Sequence, residues 1–192
     1  MRNRIVGILL LAFIAIFLPA RVHASGKPIN TEKSVMTVHV FKSGVFSAFG
    51  HEHDISAPIA EGTLDEEKPS VTLRVNARQM KVKDGDVSED DRVKVQSTML
   101  GPQVLDAEKF PNITFQSTQV DRLGDGKWVV HGNLSLHGQT HPVVVRVEGQ
   151  SGHYQGSAEL KQKDFGLTPI TAGGGSVKVK NELRIQFDIW TR

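Results

Sequence analysis

The chain has 192 residues, with 23 Lys and Arg against 21 Asp and Glu, and no cysteine. Without a thiol there is no disulfide, no Cys-ligated zinc, no iron–sulfur cluster and no thiol nucleophile. The near balance of charge supplies no basic surface of the kind nucleic-acid binding requires, so no nucleic-acid partner is expected.

Met1-Arg2-Asn3-Arg4 is a short basic start. An apolar run from Ile5 to Leu18 follows, then Pro19 and the small-residue stretch Val22-His23-Ala24. This is the layout of a secretory signal peptide. The run is shorter than the roughly 20 residues a membrane-spanning helix needs. An uncleaved anchor is the competing reading, and with no Cys there is no lipoprotein anchor. Cleavage is expected after Ala24, leaving 25–192 as one domain able to bury its own core. The leader holds Arg2, Arg4 and Arg21 and no acid, so the remainder carries 20 basic and 21 acidic residues. A nearly neutral exported domain is expected in the periplasm.

Residues 25–31 read as a loose leader. Ser34 to Lys42 alternates, with Val35, Thr37, His39 and Phe41 on one face and Met36, Val38 and Val40 on the other. That is a strand with cover expected on both sides. A second strand falls within 52–64, interrupted near Pro58. A third runs from Ser70 to Met80 with Val71, Leu73, Val75 and Ala77 on one face. Lys81 to Asp91 is charged and reads as a surface loop. Ser88 and Asp91 resemble a helix N-terminal box for an amphipathic helix over 89–100, stopped by Gly101-Pro102. A short helical turn is expected from Pro102 to Ala107.

From Phe110 onward the chain reads as strands and turns. Ile113, Phe115, Ser117 and Gln119 alternate with Thr114, Gln116, Thr118 and Val120. Gly124-Asp125-Gly126 is a turn. Trp128, Val130, Gly132, Leu134 and Leu136 form the next set, and Gly138-Gln139-Thr140 turns into Val143, Val145 and Val147. Gly149-Gln150-Ser151-Gly152 turns again into a strand over Tyr154 to Gln162. Val177 to Trp190 closes the chain. About eight short strands with turn signals between them point to a sandwich or a closed barrel. The alternation favours an antiparallel meander.

A barrel of this size is filled by side chains or holds one small ligand. Phe46, Phe49, Leu73, Phe115, Trp128, Phe165 and Phe187 either fill it or line a tunnel. His51 and His53, two apart, share one side of a strand beside Glu52 and Asp54, and could ligate a divalent metal such as Zn, Cu or Ni. The competing reading is a polar loop. His137 reads as a turn residue that ties down a hairpin by hydrogen bonding. Asp84, Asp86, Glu89, Asp90 and Asp91 hint at calcium, but Val95 stands where a calcium loop needs its bidentate Glu, so they read as a solvated loop. No G-x-S-x-G elbow occurs and no catalytic residue is assigned, so an enzyme is not expected.

Leu105-Asp106-Ala107-Glu108-Lys109-Phe110-Pro111-Asn112-Ile113-Thr114-Phe115 resembles a helix-end, aromatic, proline, strand signature of the YceI-like proteins. Gly132-Asn133-Leu134-Ser135-Leu136-His137-Gly138-Gln139-Thr140-His141-Pro142-Val143 resembles their hairpin, and Asp164 to Leu167 and Val179 to Asp188 resemble their closing segments. Phe46 to Asp54 departs from the family's commonest form. The resemblance implies a lipocalin-like antiparallel eight-stranded barrel with one helical insertion. It also implies an exported protein that sequesters or carries a long apolar molecule, an isoprenoid or a fatty-acyl or amide-like chain. On that reading the tunnel is favoured, and Met99, Leu100 and Leu167 join the aromatic residues and Leu73 as candidate ligand contacts. The implied partner is the apolar molecule, with transient membrane contact and a homodimer left open. A metal-binding or stress-related role for His51 and His53 is the alternative.

Overall fold

The computed structural model describes residues 26–43, 52–85, 87–172 and 177–192. The strands are β1 (Lys27–Pro28), β2 (Val35–Ser43), β3 (His53–Ser56), β4 (Ile59–Asp65), β5 (Ser70–Asn76), β6 (Lys81–Val82), β7 (Asn112–Gly124), β8 (Lys127–Leu136), β9 (Gln139–Gln150), β10 (His153–Lys161), β11 (Thr171–Ala172) and β12 (Val177–Trp190). One helix, α1 (Glu89–Leu100), is inserted between β6 and β7. Every pairing between named strands is antiparallel, in the order β1-β4-β5-β7-β8-β9-β10-β12-β2-β3-β6, with β11 on β12.

This sheet curls round to meet itself through Pro58. Strands β3 and β4 are consecutive on either side of that proline, yet β3 pairs with β2 and β4 with β5. Proline has no N–H to give a ladder, so it is a natural place for a strand to change neighbours. Taken as one kinked strand, β3–β4 closes a ring of eight with β2, β5, β7, β8, β9, β10 and β12. The twelve strands exceed the expected eight by this division and by the two-residue pieces β1, β6 and β11.

The expected loose leader is instead paired. Lys27 and Pro28 stand opposite Leu64 and Thr63, and the Ile29 N–H donates to the Gly62 carbonyl at 2.9 Å. Asn30 N–H donates to the Trp190 carbonyl at 2.7 Å, so the segment also ties to the end of β12. Ile29 is buried. A Cβ at Gly62 would fall 2.6 Å from its Cδ1, so this close approach needs glycine. One apolar residue in a polar stretch carries no periodicity, which hid the segment in the sequence.

Further differences have local causes. Strand β5 ends at Asn76, not Met80, because the Asn76 side chain accepts from the Arg78 N–H and caps a 3-10 turn over Ala77–Gln79. Part of the expected surface loop is β6, which pairs with β3. Among the described residues the outer face of β2 is only partly covered: Val35 is 57% exposed, while Thr37, His39 and Phe41 are half-buried. Register shifts between Ser117 and Gln119, where a bulge reverses which face the following residues present. Residues 102–107 form turns and no helix, with Asp106 at φ 43°.

The helix spans the residues the sequence indicates, but the expected amphipathic pattern is weak: of its apolar residues Met99 alone is buried, and Val93 is 57% exposed. The Ser88 side chain accepts from the Asp91 N–H, and Glu89, Asp90 and Asp91 sit at the positive end of the dipole. Gln96 fixes α1 to the barrel: its amide donates to the Met80 carbonyl at 2.9 Å and its oxygen accepts from the Val82 N–H at 2.8 Å. The hairpins β8–β9 and β9–β10 turn on His137-Gly138 and Ser151-Gly152, all four at positive φ. Two such residues make the tight turn whose twist matches paired strands.

A candidate ligand-binding lumen

The antiparallel register fixes which side chains face inward, because residues directly opposite each other point to the same side of a sheet. On β8, Trp128, Val130, Leu134 and Leu136 face in, and on β9 so do Val143, Val145 and Val147. Strand β12 adds Leu183, Ile185, Phe187 and Ile189. On β7 the bulge brings Val120 to the same interior as Ile113 and Phe115, which simple alternation would have separated.

These residues do not fill the space they enclose. A cavity of about 850 Å³ runs between them, toward the upper end of the about 300–1,000 Å³ usual for small-molecule sites. Nearly half of the wall residues are β-branched or small. The larger rings are set back: a Cβ at Gly132 would lie 2.4 Å from the Phe115 ring, and one at Gly156 would lie 2.5 Å from that of Phe187. Each ring therefore rests where a side chain would otherwise stand. The Trp128 indole N–H donates to the Gly149 carbonyl at 3.2 Å, so its polar atom is satisfied at the wall.

The two ends of the lumen differ. At the end formed by the β4–β5 and β9–β10 hairpins, Asp65, Glu66 and Tyr154 line the cavity. The Tyr154 hydroxyl donates to Glu66 at 2.9 Å. Burial, with Glu66 adding to it, pushes the phenol up to about 12. At the other end α1 and the turns after it lie across the opening, and the main apolar cluster gathers there around Met80, Met99, Leu105 and Phe165.

Of the expected ligand contacts, Leu73, Met99, Phe115, Trp128, Leu167 and Phe187 line the cavity. Leu100 does not; it packs against the cluster beneath α1. Phe165 does not either. It is 2% exposed in that cluster, its ring meets His141 edge-on at 5.3 Å, and its carbonyl faces His137 Nδ1 at 3.3 Å. This last contact is the hairpin tie expected of His137. Phe46, Phe49 and His51 lie outside the described residues.

His53 faces the lumen. It stands opposite Val40, whose side chain lines the cavity. Its Nδ1 lies 2.5 Å from Asp84 Oδ2, and Asp84 Oδ1 accepts from the Asp54 N–H at 2.8 Å. Asp84 is therefore no solvated loop acid, being only 5% exposed. The sequence held its signal: Met80, Val82 and Asp84 are buried alternately with exposed Lys81, Lys83 and Gly85. The charge at the third place masked the period. Among the described residues no three His, Asp or Glu side chains are grouped to hold a metal ion. His39 faces outward, between Asp54 at 2.6 Å and Gln186 at 2.7 Å. His153 stacks on Trp190 at 3.7 Å and contacts Asp188 at 2.9 Å. The Asp188 carboxyl is held below its ordinary range, first by the Gln155 amide and then, against burial, by His153.

Comparison with known proteins agrees with this architecture. A family model described as the YceI-like domain matches residues 28–190. A UPF0312 protein of Vibrio cholerae is 37% identical over 92 residues, 43% of this chain and 47% of that protein. The match thus spans about half the length of that relative. A UPF0312 protein of Shewanella putrefaciens is 28% identical over 197 residues, covering 96% of this chain and 95% of its own. Among solved structures, BcnA of Burkholderia cenocepacia superposes with a TM-score of 0.59 at 19% identity, over 85% of this chain and 99% of that one. A YceI protein of Campylobacter jejuni gives 0.53 at 14% identity, over 80% and 85%. At these identities the likeness speaks to fold alone.

Proposed function

The chain belongs to the YceI-like family, and from its lumen we propose that it is an exported protein that sequesters or carries one long apolar molecule. The observation that supports this most is the cavity of about 850 Å³ walled by aliphatic side chains. Water gains little from such walls, whereas each buried CH₂ of a ligand is worth about 0.8 kcal/mol. Ten such groups reach about 8 kcal/mol, enough for tight binding after the cost of immobilising the chain is met. An isoprenoid or a fatty-acyl or amide-like chain has the shape and polarity to fit. A carrier of that kind works between membranes, consistent with the signal-like leader and a periplasmic setting.

Organic extraction of protein purified without detergent, followed by mass spectrometry, tests the proposal. Recovery of a long-chain apolar compound near one equivalent per chain is expected. Recovery of none, together with no uptake of added long-chain compounds, would overturn it.

A further inference from the structure

The imidazole of His53 is a polar group that an all-hydrocarbon ligand would not use. His53 lines the cavity on β3, with Val40 opposite it and Ile55 next along the same face. Behind it lies Asp84, whose side chain is 1% exposed against 21% for that of His53. Both carboxylate oxygens of Asp84 are engaged: Oδ2 lies 2.5 Å from His53 Nδ1, and Oδ1 accepts from the Asp54 N–H at 2.8 Å. A carboxylate has no proton to give, so the proton between Oδ2 and Nδ1 belongs to the ring, which donates it to Asp84. In the neutral imidazole Nε2 is then a bare acceptor.

No described residue engages that Nε2. Among the described side chains no buried nitrogen or oxygen lacks a partner, so the unpartnered Nε2 opens onto the cavity that His53 lines. The Asp84 contact holds the ring in this orientation. Water satisfies such an atom in an open cavity. An apolar chain that displaces the water leaves the atom bare unless the chain itself carries a donor.

Resting on the lumen reading above, we infer that the ligand has an uncharged head, a hydroxyl or a primary amide, that donates a hydrogen bond to His53 Nε2. Asp84 is the positioning residue: it sets which ring nitrogen carries the proton and aims the other into the lumen. A head that only accepts, such as an ether or a ketone, would bring one lone pair against another. A site built to hydrogen-bond one group of its ligand rejects analogues that lack the group, a selectivity the aliphatic walls cannot supply.

Displacement of a neutral fluorescent naphthylamine probe by hexadecan-1-ol, hexadecanamide and 1-methoxyhexadecane tests this at about pH 8.5, alkaline of the reference imidazole value. The alcohol and the amide are expected to bind about tenfold tighter than the ether, from one matched hydrogen bond. Whichever of the two binds tighter identifies the head. In an Asp84→Asn variant the side-chain oxygen can keep the Asp54 N–H while the NH₂ donates to Nδ1, which moves the ring proton to Nε2. The preference for alcohol over ether is expected to fall there to about twofold or less. In nitrogen NMR of the unaltered protein, the His53 Nε2 resonance should differ between the two complexes, hydrogen-bonded with the alcohol and bare with the ether. Equal affinity of alcohol, amide and ether for the unaltered protein overturns the donor head and leaves the lumen reading standing. Binding of none of the three overturns both. A preference that survives in the variant overturns the role of Asp84, and one Nε2 resonance position in both complexes overturns the assignment to His53.

Discussion

Replacing Ala158 by Phe separates an open lumen from a filled one. Ala158 stands on β10 opposite Val145 and Ile185, and all three line the cavity. A phenyl group there occupies the place of about three methylenes of a bound chain, which removes about 2.4 kcal/mol of burial. That is about 60-fold in affinity. The ring enters empty space and covers apolar wall, so the melting temperature is expected to hold or rise. A packed interior would answer differently, since overfilling costs about 1–3 kcal/mol and each kcal/mol lowers the melting temperature by about 2–4 °C at this size. Probe titration and a thermal melt on one preparation read both quantities. A lowered melting temperature, or affinity unchanged within about twofold, would refute the reasoning.

Three other outcomes follow from particular contacts. His53→Ala leaves the nearly inaccessible Asp84 carboxylate with the Asp54 N–H alone, and is expected to cost about 2–3 kcal/mol in urea unfolding; a loss under about 0.5 kcal/mol would show that the pair does not matter. Gly132→Ala drives a methyl group into the Phe115 ring and toward the Gln116 carbonyl at 2.6 Å, so a loss of about 1–3 kcal/mol is expected, and unaltered stability would contradict the close approach. Tyr154 is the chain's single tyrosine, so ultraviolet titration reads it alone, and its phenolate should appear near 12. The folded state holds this proton more tightly than the unfolded chain, so stability should be complete below about 10 and decline as pH rises toward about 12. Ionisation at the ordinary tyrosine value would contradict the burial and the Glu66 contact.

The barrel walls were legible because alternation survives wherever one face is buried. Val143, Val145 and Val147 on β9, and Trp128 to Leu136 on β8, face the lumen as their spacing indicates. Proline signalled the strand that changes partners, and Ser88 signalled the helix start. What escaped was set by tertiary contact. The bulge at Ser117–Gln119 leaves no trace in an alternating pattern, and Ile29 is buried by a partner strand from elsewhere in the chain. Among candidate site residues, aromatic character was a poor guide to lining. Phe165 is large and apolar, yet it belongs to the packed end, while Ala158 and several valines form the cavity.

Trp128 offers the most direct measurement of the central claim. It lines the lumen near the hairpin end, and Trp190 is the chain's other tryptophan, on the surface against His153. In a Trp190→Phe variant, titration with hexadecanoic acid brominated along its chain should quench Trp128 to saturation near one equivalent per chain. Absence of quenching, while the Trp128 ring stays at the wall, would contradict a lumen that holds an apolar chain.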